Sequence, residues 1–181
     1  MTALLTRSFG SELATDGRTL EGLAFRWDVA SKVSDGGPSY LEAFTRGSTD
    51  KTLKERGPRP LGFLHPWTPG AKTDPMPLGA VTFRAGTEGL EFSAKVSKTR
   101  NGDEMLELVN DGAVTDVSIG FRSFKEAKRG TVVYRTEIGL EELSLIPTGF
   151  GAHTGAEVLA VRAIDLGAPR LDELRRKLVL L

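Results

Sequence analysis

The chain has 181 residues, enough for one domain with a real core, and its 24 basic residues balance 24 acidic ones. That zero net charge argues against a nucleic-acid protein, which would carry a basic excess, and nothing approaches the length of a membrane span or reads as a signal peptide. With no cysteine there is no disulfide and no thiol nucleophile, and two histidines, His65 and His153, are too few for the usual His/Cys zinc site, so neither metal nor cofactor is expected.

Residues 2–9 are predicted to form a first strand, and Thr19 to Trp27 a second. Residues 31–39 (SKVSDGGPS) read as loop, and Tyr40 to Phe44 as a short apolar segment. Thr49 to Arg56 reads as a short helix that Gly57-Pro58 ends. Pro60 to His65 is a near-continuous apolar run, expected to be a buried strand with His65 at its exit. Pro66 stops it, and residues 67–77 form a long irregular loop of the kind that is often functional.

Leu78 to Arg84 and Leu90 to Ser97 are the clearest strands, joined by a hairpin turn over 85–89. Asn101 can cap a helix, with Glu104 three residues on and an apolar stripe of Met105, Leu106, Leu108 and Val109. Asn110-Asp111-Gly112 ends it. Lys125 to Gly130 reads as a charged turn, and Val132 to Ile146 as one long strand or two, closed by Pro147. A Gly-rich loop over 148–155 precedes a last strand, Glu157 to Arg162. After a linker at 165–170, Leu171, Leu174, Leu178 and Leu181 form the stripe of a terminal amphipathic helix. The expected fold class is strand-rich α+β, a barrel or sandwich with two or three helices. Residues 1–164 are expected to form the domain, and 165–181 a linker and tail.

Between the helix and the charged turn lies Val117-Ser118-Ile119-Gly120-Phe121-Arg122. Apolar residues at 117, 119 and 121 alternate with Ser118, Gly120 and Arg122, so Ser118 points out of the face opposite the core. Gly120 on the same face leaves room for something to approach the backbone. A serine nucleophile needs a base, and histidine is poised for that near neutral pH. A carboxylate then fixes the histidine tautomer and stabilises its cation. His65, Ser118 and Glu142 all fall at strand ends or on strand faces, which makes them the candidate set.

These segments resemble the prohead, or capsid maturation, serine proteases of tailed bacteriophages. The resemblance runs from Leu20-Glu21-Gly22-Leu23-Ala24-Phe25 through Tyr40-Leu41-Glu42-Ala43-Phe44 to Leu61-Gly62-Phe63-Leu64-His65. It continues through Pro77-Leu78-Gly79, Gly89-Leu90-Glu91-Phe92 and Met105-Leu106-Glu107-Leu108-Val109. Its most specific piece is Val117-Ser118-Ile119-Gly120-Phe121, and its last is Glu142-Leu143-Ser144-Leu145-Ile146-Pro147. The span is roughly residues 18–162. Two departures are Pro66, where the family commonly has an acidic residue, and a longer 67–77 loop.

The resemblance implies a small closed β-barrel flanked by helices, as in the herpesvirus assembly protease. It implies Ser118 as nucleophile, His65 as general base and Glu142 as third member, with His153 as the alternative third member. The loop after the Glu142 strand, around Phe150 and Gly151, is the expected oxyanion hole. The implied activity is a serine endopeptidase acting inside the immature capsid in the host cytoplasm. Its implied substrates are scaffolding protein, the major capsid protein and its own copies. No nucleic acid or membrane partner is expected. A catalytically silent assembly factor that binds capsid protein is the alternative. A small esterase lacks support, because no Gly-x-Ser-x-Gly elbow surrounds Ser118.

Overall fold

The computed structural model describes residues 4–9, 17–34, 37–150 and 160–161. They form ten strands and two helices. The strands are β1 (Leu4–Phe9), β2 (Thr19–Arg26), β3 (Ser31–Val33), β4 (Tyr40–Phe44), β5 (Arg59–Phe63), β6 (Gly79–Ala85), β7 (Gly89–Val96), β8 (Val114–Arg129), β9 (Val132–Pro147) and β10 (Ala160–Val161). The helices are α1 (Asp50–Glu55) and α2 (Arg100–Asn110). Among these residues no helix is long and apolar enough to cross a membrane.

The strands make one curled sheet in the order β1-β8-β9-β5-β6-β7-β2-β10, with β3 and β4 branching from β9. β8 and β9 are an antiparallel pair of 16 residues each and form its backbone. The two halves of β9 serve different neighbours. Its first half takes β4 in parallel, from Leu41↔Val132 to Phe44↔Arg135. Its second half takes β5 in parallel, from Leu61↔Leu143 to Phe63↔Leu145. The described sheet is an open path, so the strand-rich α+β expectation holds at the level of a half-barrel.

The period-2 pattern decides which face is inside. Val117, Ile119 and Phe121 of β8 point into the core with Leu143 and Leu145 of β9, Leu61 of β5 and Val81 of β6. Aromatic rings knit the far side: Phe25 stacks on Phe44 at 4.3 Å between centroids, and Phe44 meets Phe121 edge-on at 5.2 Å. Burying a side chain such as Phe121 completely contributes about 1.5–3 kcal/mol relative to leaving it in water. Helix α2 closes the core with Met105, Leu106 and Val109.

Three local expectations need correction. Residues 31–39 are not all loop, since Ser31–Val33 pairs with Tyr40–Glu42. Lys125 to Gly130 is not a turn: β8 runs on to Arg129, and the reversal is made at Gly130, with φ +59°, before Val132. The charges there are cross-strand partners, Lys125 with Glu137 and Glu126 with Arg135, so a ladder of ion pairs reads in sequence like a solvated turn. Helix α2 is capped by Thr99, whose hydroxyl accepts from the Gly102 N–H at 3.1 Å, not by Asn101, which lies inside the first turn. The predicted strand Glu157 to Arg162 is described only at Ala160–Val161, and the terminal helix with its linker lies outside the described residues.

Candidate active site

Two rows of residues cross the sheet on the face opposite the core. In one, Ser118 of β8 lies beside Ser144 of β9, which lies beside Gly62 of β5. In the next, Gly120 lies beside Glu142. Neighbouring strands are about 4.8 Å apart, so three strands place these groups side by side with no loop involved.

The glycines in these rows are there for space. A Cβ on Gly120 would come within 2.5 Å of the Glu142 Cγ, so β8 stays bare where the carboxylate side chain crosses it. A Cβ on Gly62 would meet the Pro66 ring and the Trp67 ring at 2.8 Å and the Ser144 Oγ at 2.9 Å. The chain leaving β5 therefore folds back directly over Gly62.

That fold-back delivers His65. Strand β5 ends at Phe63, two residues before the expected exit, because Leu64 and His65 both take left-handed backbone conformations, φ +54° and +53°. Such a pair of non-glycine residues is costly and persists only where surrounding contacts hold it. Here the Leu64 N–H donates to the Leu145 carbonyl at 3.2 Å, and the His65 N–H donates to the Ser144 Oγ at 3.1 Å. On the far side the His65 carbonyl accepts from the Thr68 N–H at 3.1 Å and the Thr68 hydroxyl at 2.8 Å.

The imidazole so placed bridges the two rows. Its Nε2 lies 2.6 Å from the Ser118 Oγ, and its Nδ1 is in hydrogen-bond contact with the Glu142 Oε1. The second carboxylate oxygen of Glu142 accepts from the Ser144 hydroxyl at 2.8 Å. With Glu142 ionised, Nδ1 carries the proton and donates to it, which leaves Nε2 free to accept from Ser118. Ser118 and Ser144 are fully buried and Glu142 is 2 % exposed, so these bonds operate out of bulk water, where they are stronger.

The structure thus brings Ser118, His65 and Glu142 together as one chain of hydrogen bonds. Ser144 is the member that the sequence reading did not single out. The signal for it was present: it shares a face with Glu142 two residues away on the same strand. Phe150 is 78 % exposed, and its N–H donates to the Pro147 carbonyl at 3.1 Å. The Gly149 N–H donates to the Asp116 Oδ2 at 3.2 Å. His153 and Gly151 lie outside the described residues.

The fold is similar to that of the bacteriophage T4 capsid assembly protease, gp21, with a TM-score of 0.58 at 16% identity, over 80% of this chain and 97% of that one. No curated protein sequence matches the chain. A family model, that of the caudovirus prohead serine proteases, matches residues 6–166, as the order of motifs led us to expect. The chain belongs to the caudovirus prohead serine protease family.

Proposed function

We propose that this capsid maturation protease cleaves peptide bonds with Ser118 as nucleophile, His65 as general base and Glu142 as the group that orients and charges the base. The single observation that carries the reading is the unbroken contact from the Ser118 Oγ on β8 through the His65 ring, in the turn that leaves β5, to the Glu142 carboxylate on β9. As the Ser118 oxygen attacks the substrate carbonyl, its proton passes to Nε2 of His65. The imidazolium formed is stabilised by Glu142, and it gives the proton to the departing amine, leaving an acyl-enzyme. Water, deprotonated by the same nitrogen, then releases the acid and restores Ser118.

Ser144 acts in this reading as a positioning residue. Its hydroxyl ties the His65 backbone to the Glu142 carboxylate, so base and acid are held as one unit. The oxyanion donors are proposed in the loop at Phe150 and Gly151. For Phe150 to serve, its N–H must leave the Pro147 carbonyl. The substrates proposed from the family are scaffolding protein and the major capsid protein inside the prohead, with the protease itself as a third. Residues 1–164 would carry the chemistry, and 165–181 would serve as an appended tail.

The nucleophile is covered in this state, so substrate must displace part of what lies over it. The test is therefore made on assembled proheads. Ser118→Ala should leave the precursor of the capsid protein at full length on a gel, while the protein still folds and is packaged. In the same material a fluorophosphonate probe should label the native chain at Ser118. Normal processing by Ser118→Ala would remove the reading, and packaged but unlabelled native protein would favour the silent assembly factor.

A further inference from the structure

Beside Glu142, on the side away from Ser118, the sheet carries a recess of about 350 Å³, open to solvent and lined by Pro60, Trp67, Pro77, Arg122, Glu141 and Glu142. It lies on the catalytic face. Ser118, Gly120 and Arg122 alternate with the core residues of β8, so all three look out of the same side. Arg122 is four residues from Ser118 along an extended strand, roughly 13 Å at about 3.3 Å per residue. We propose that this recess is a substrate subsite that takes one bulky apolar side chain, two to four residues from the cleaved bond. The proposal rests on the protease reading above and adds the class of residue that the enzyme selects.

The chemistry of the walls sets that class. Each charged side chain of the recess already has a partner. Glu141 Oε1 holds Arg122 Nε at 3.2 Å and Arg56 Nη1 at 3.1 Å. Glu142 is committed to His65 and Ser144. What remains to be covered is the indole of Trp67 and the rings of Pro60 and Pro77, and an apolar side chain gains by covering them. An acidic substrate residue would compete with Glu141 for Arg122, and a basic one with Arg122 for Glu141.

The walls are also fixed. Trp67 is seated on Gly62 and belongs to the turn closed by Thr68 on the His65 carbonyl. Pro77 is held by its neighbour, as the Leu78 N–H donates to the Leu61 carbonyl at 2.8 Å. A side chain resting on Trp67 therefore touches the same turn that carries His65, which ties recognition to the placement of the base.

The experiment uses the full chain and a peptide library from a digested bacterial proteome, with cleaved bonds read by mass spectrometry. The native enzyme should enrich Leu, Ile, Met, Phe or Trp at one position two to four residues from the cleaved bond. For a peptide chosen from that set and its Ala-substituted twin, the ratio of kcat/KM should fall roughly tenfold or more in Trp67→Ala, the scale of one apolar contact in a pocket. Pro77→Phe, which narrows the mouth without touching the His65 turn, should shift the preference to smaller side chains. It decides the matter if Trp67→Ala does not fold. No enrichment in that interval, or an enrichment unchanged in both variants, overturns the subsite while leaving the protease reading standing. Absence of any cleavage by native enzyme that the fluorophosphonate probe labels at Ser118 overturns both.

Discussion

Glu42 of β4, beside Val133 near one end of β9, and Glu142 of β9 itself, toward the other, are both buried but against different partners. Glu42, 1 % exposed, is held by Arg135 at 2.6 Å, and Arg135 in turn contacts Glu126 and the Tyr40 hydroxyl. Glu142, 2 % exposed, is held by the His65 ring and the Ser144 hydroxyl. Taking a carboxylate out of water costs several kcal/mol, which a partner must offset. Arg135 is charged at every working pH, so the Glu42 pair forms without any proton transfer. His65 becomes a cation only by accepting a proton, so in the proposed mechanism Glu142 stabilises the charge that arises when Ser118 loses its hydrogen. On the proposed reading, equal burial at two points beside β9 makes a structural pair at one and a charge-ready pair at the other.

The largest effect is expected from breaking the charge-ready pair. Glu142→Gln keeps the shape, removes the charge and can present an N–H to His65, favouring the wrong tautomer. Turnover of one peptide should fall roughly 10² or more, against about 10⁴ for the equivalent Asp→Asn change in a Ser-His-Asp protease. His153→Ala should cost under about tenfold, the scale of one modest hydrogen bond. A severe loss for His153→Ala with near-normal Glu142→Gln would reverse the assignment of the third member.

Gly120→Ala attacks the same carboxylate from below. Its new methyl would fall within 2.5 Å of the Glu142 Cγ, so Glu142 must leave His65 or the strand must shift. We expect a loss of about 1–3 kcal/mol in stability, as for other overpacked sites, with turnover falling in the surviving folded fraction. Unchanged turnover per folded molecule would show that Glu142 does not have to stay where it is.

Ser144→Ala should have a smaller effect, a fall in turnover of roughly tenfold from one lost hydrogen bond at each end. Ser144→Thr, which keeps the hydroxyl, should recover part of it, and a merely structural role would give the two variants equal turnover once corrected for folded fraction.

How much of this was legible beforehand differs between the parts. The alternation around Ser118 is a property of neighbouring residues, so face and strand could be read directly. Glycine at 120 could be read as space, but not as space for Glu142, because the β8–β9 register is set by a hairpin whose charged end looked like a turn. The position of His65 depends on two left-handed residues, and neither Leu nor His advertises that conformation. It arises only from Ser144, Leu145 and Thr68 closing on the turn. Ser144 was legible as a residue on the face of Glu142 and became a site residue only when β5 was laid beside it.

The most direct test sets the two buried glutamates against each other, by measuring Tm and turnover per folded molecule for Glu142→Gln and Arg135→Met side by side. Arg135→Met strands Glu42 in the interior without its guanidinium, so it should cost about 3–5 kcal/mol and lower Tm by roughly 10 °C. Its turnover per folded molecule should stay within about twofold of native, because sites with no shared partners act independently. Glu142→Gln should show the opposite, a roughly 10² loss of turnover with a Tm shift of only a few degrees. Equal losses of turnover in the two variants, or near-native turnover in Glu142→Gln, would contradict the claim that Glu142 serves the chemistry of Ser118 and His65.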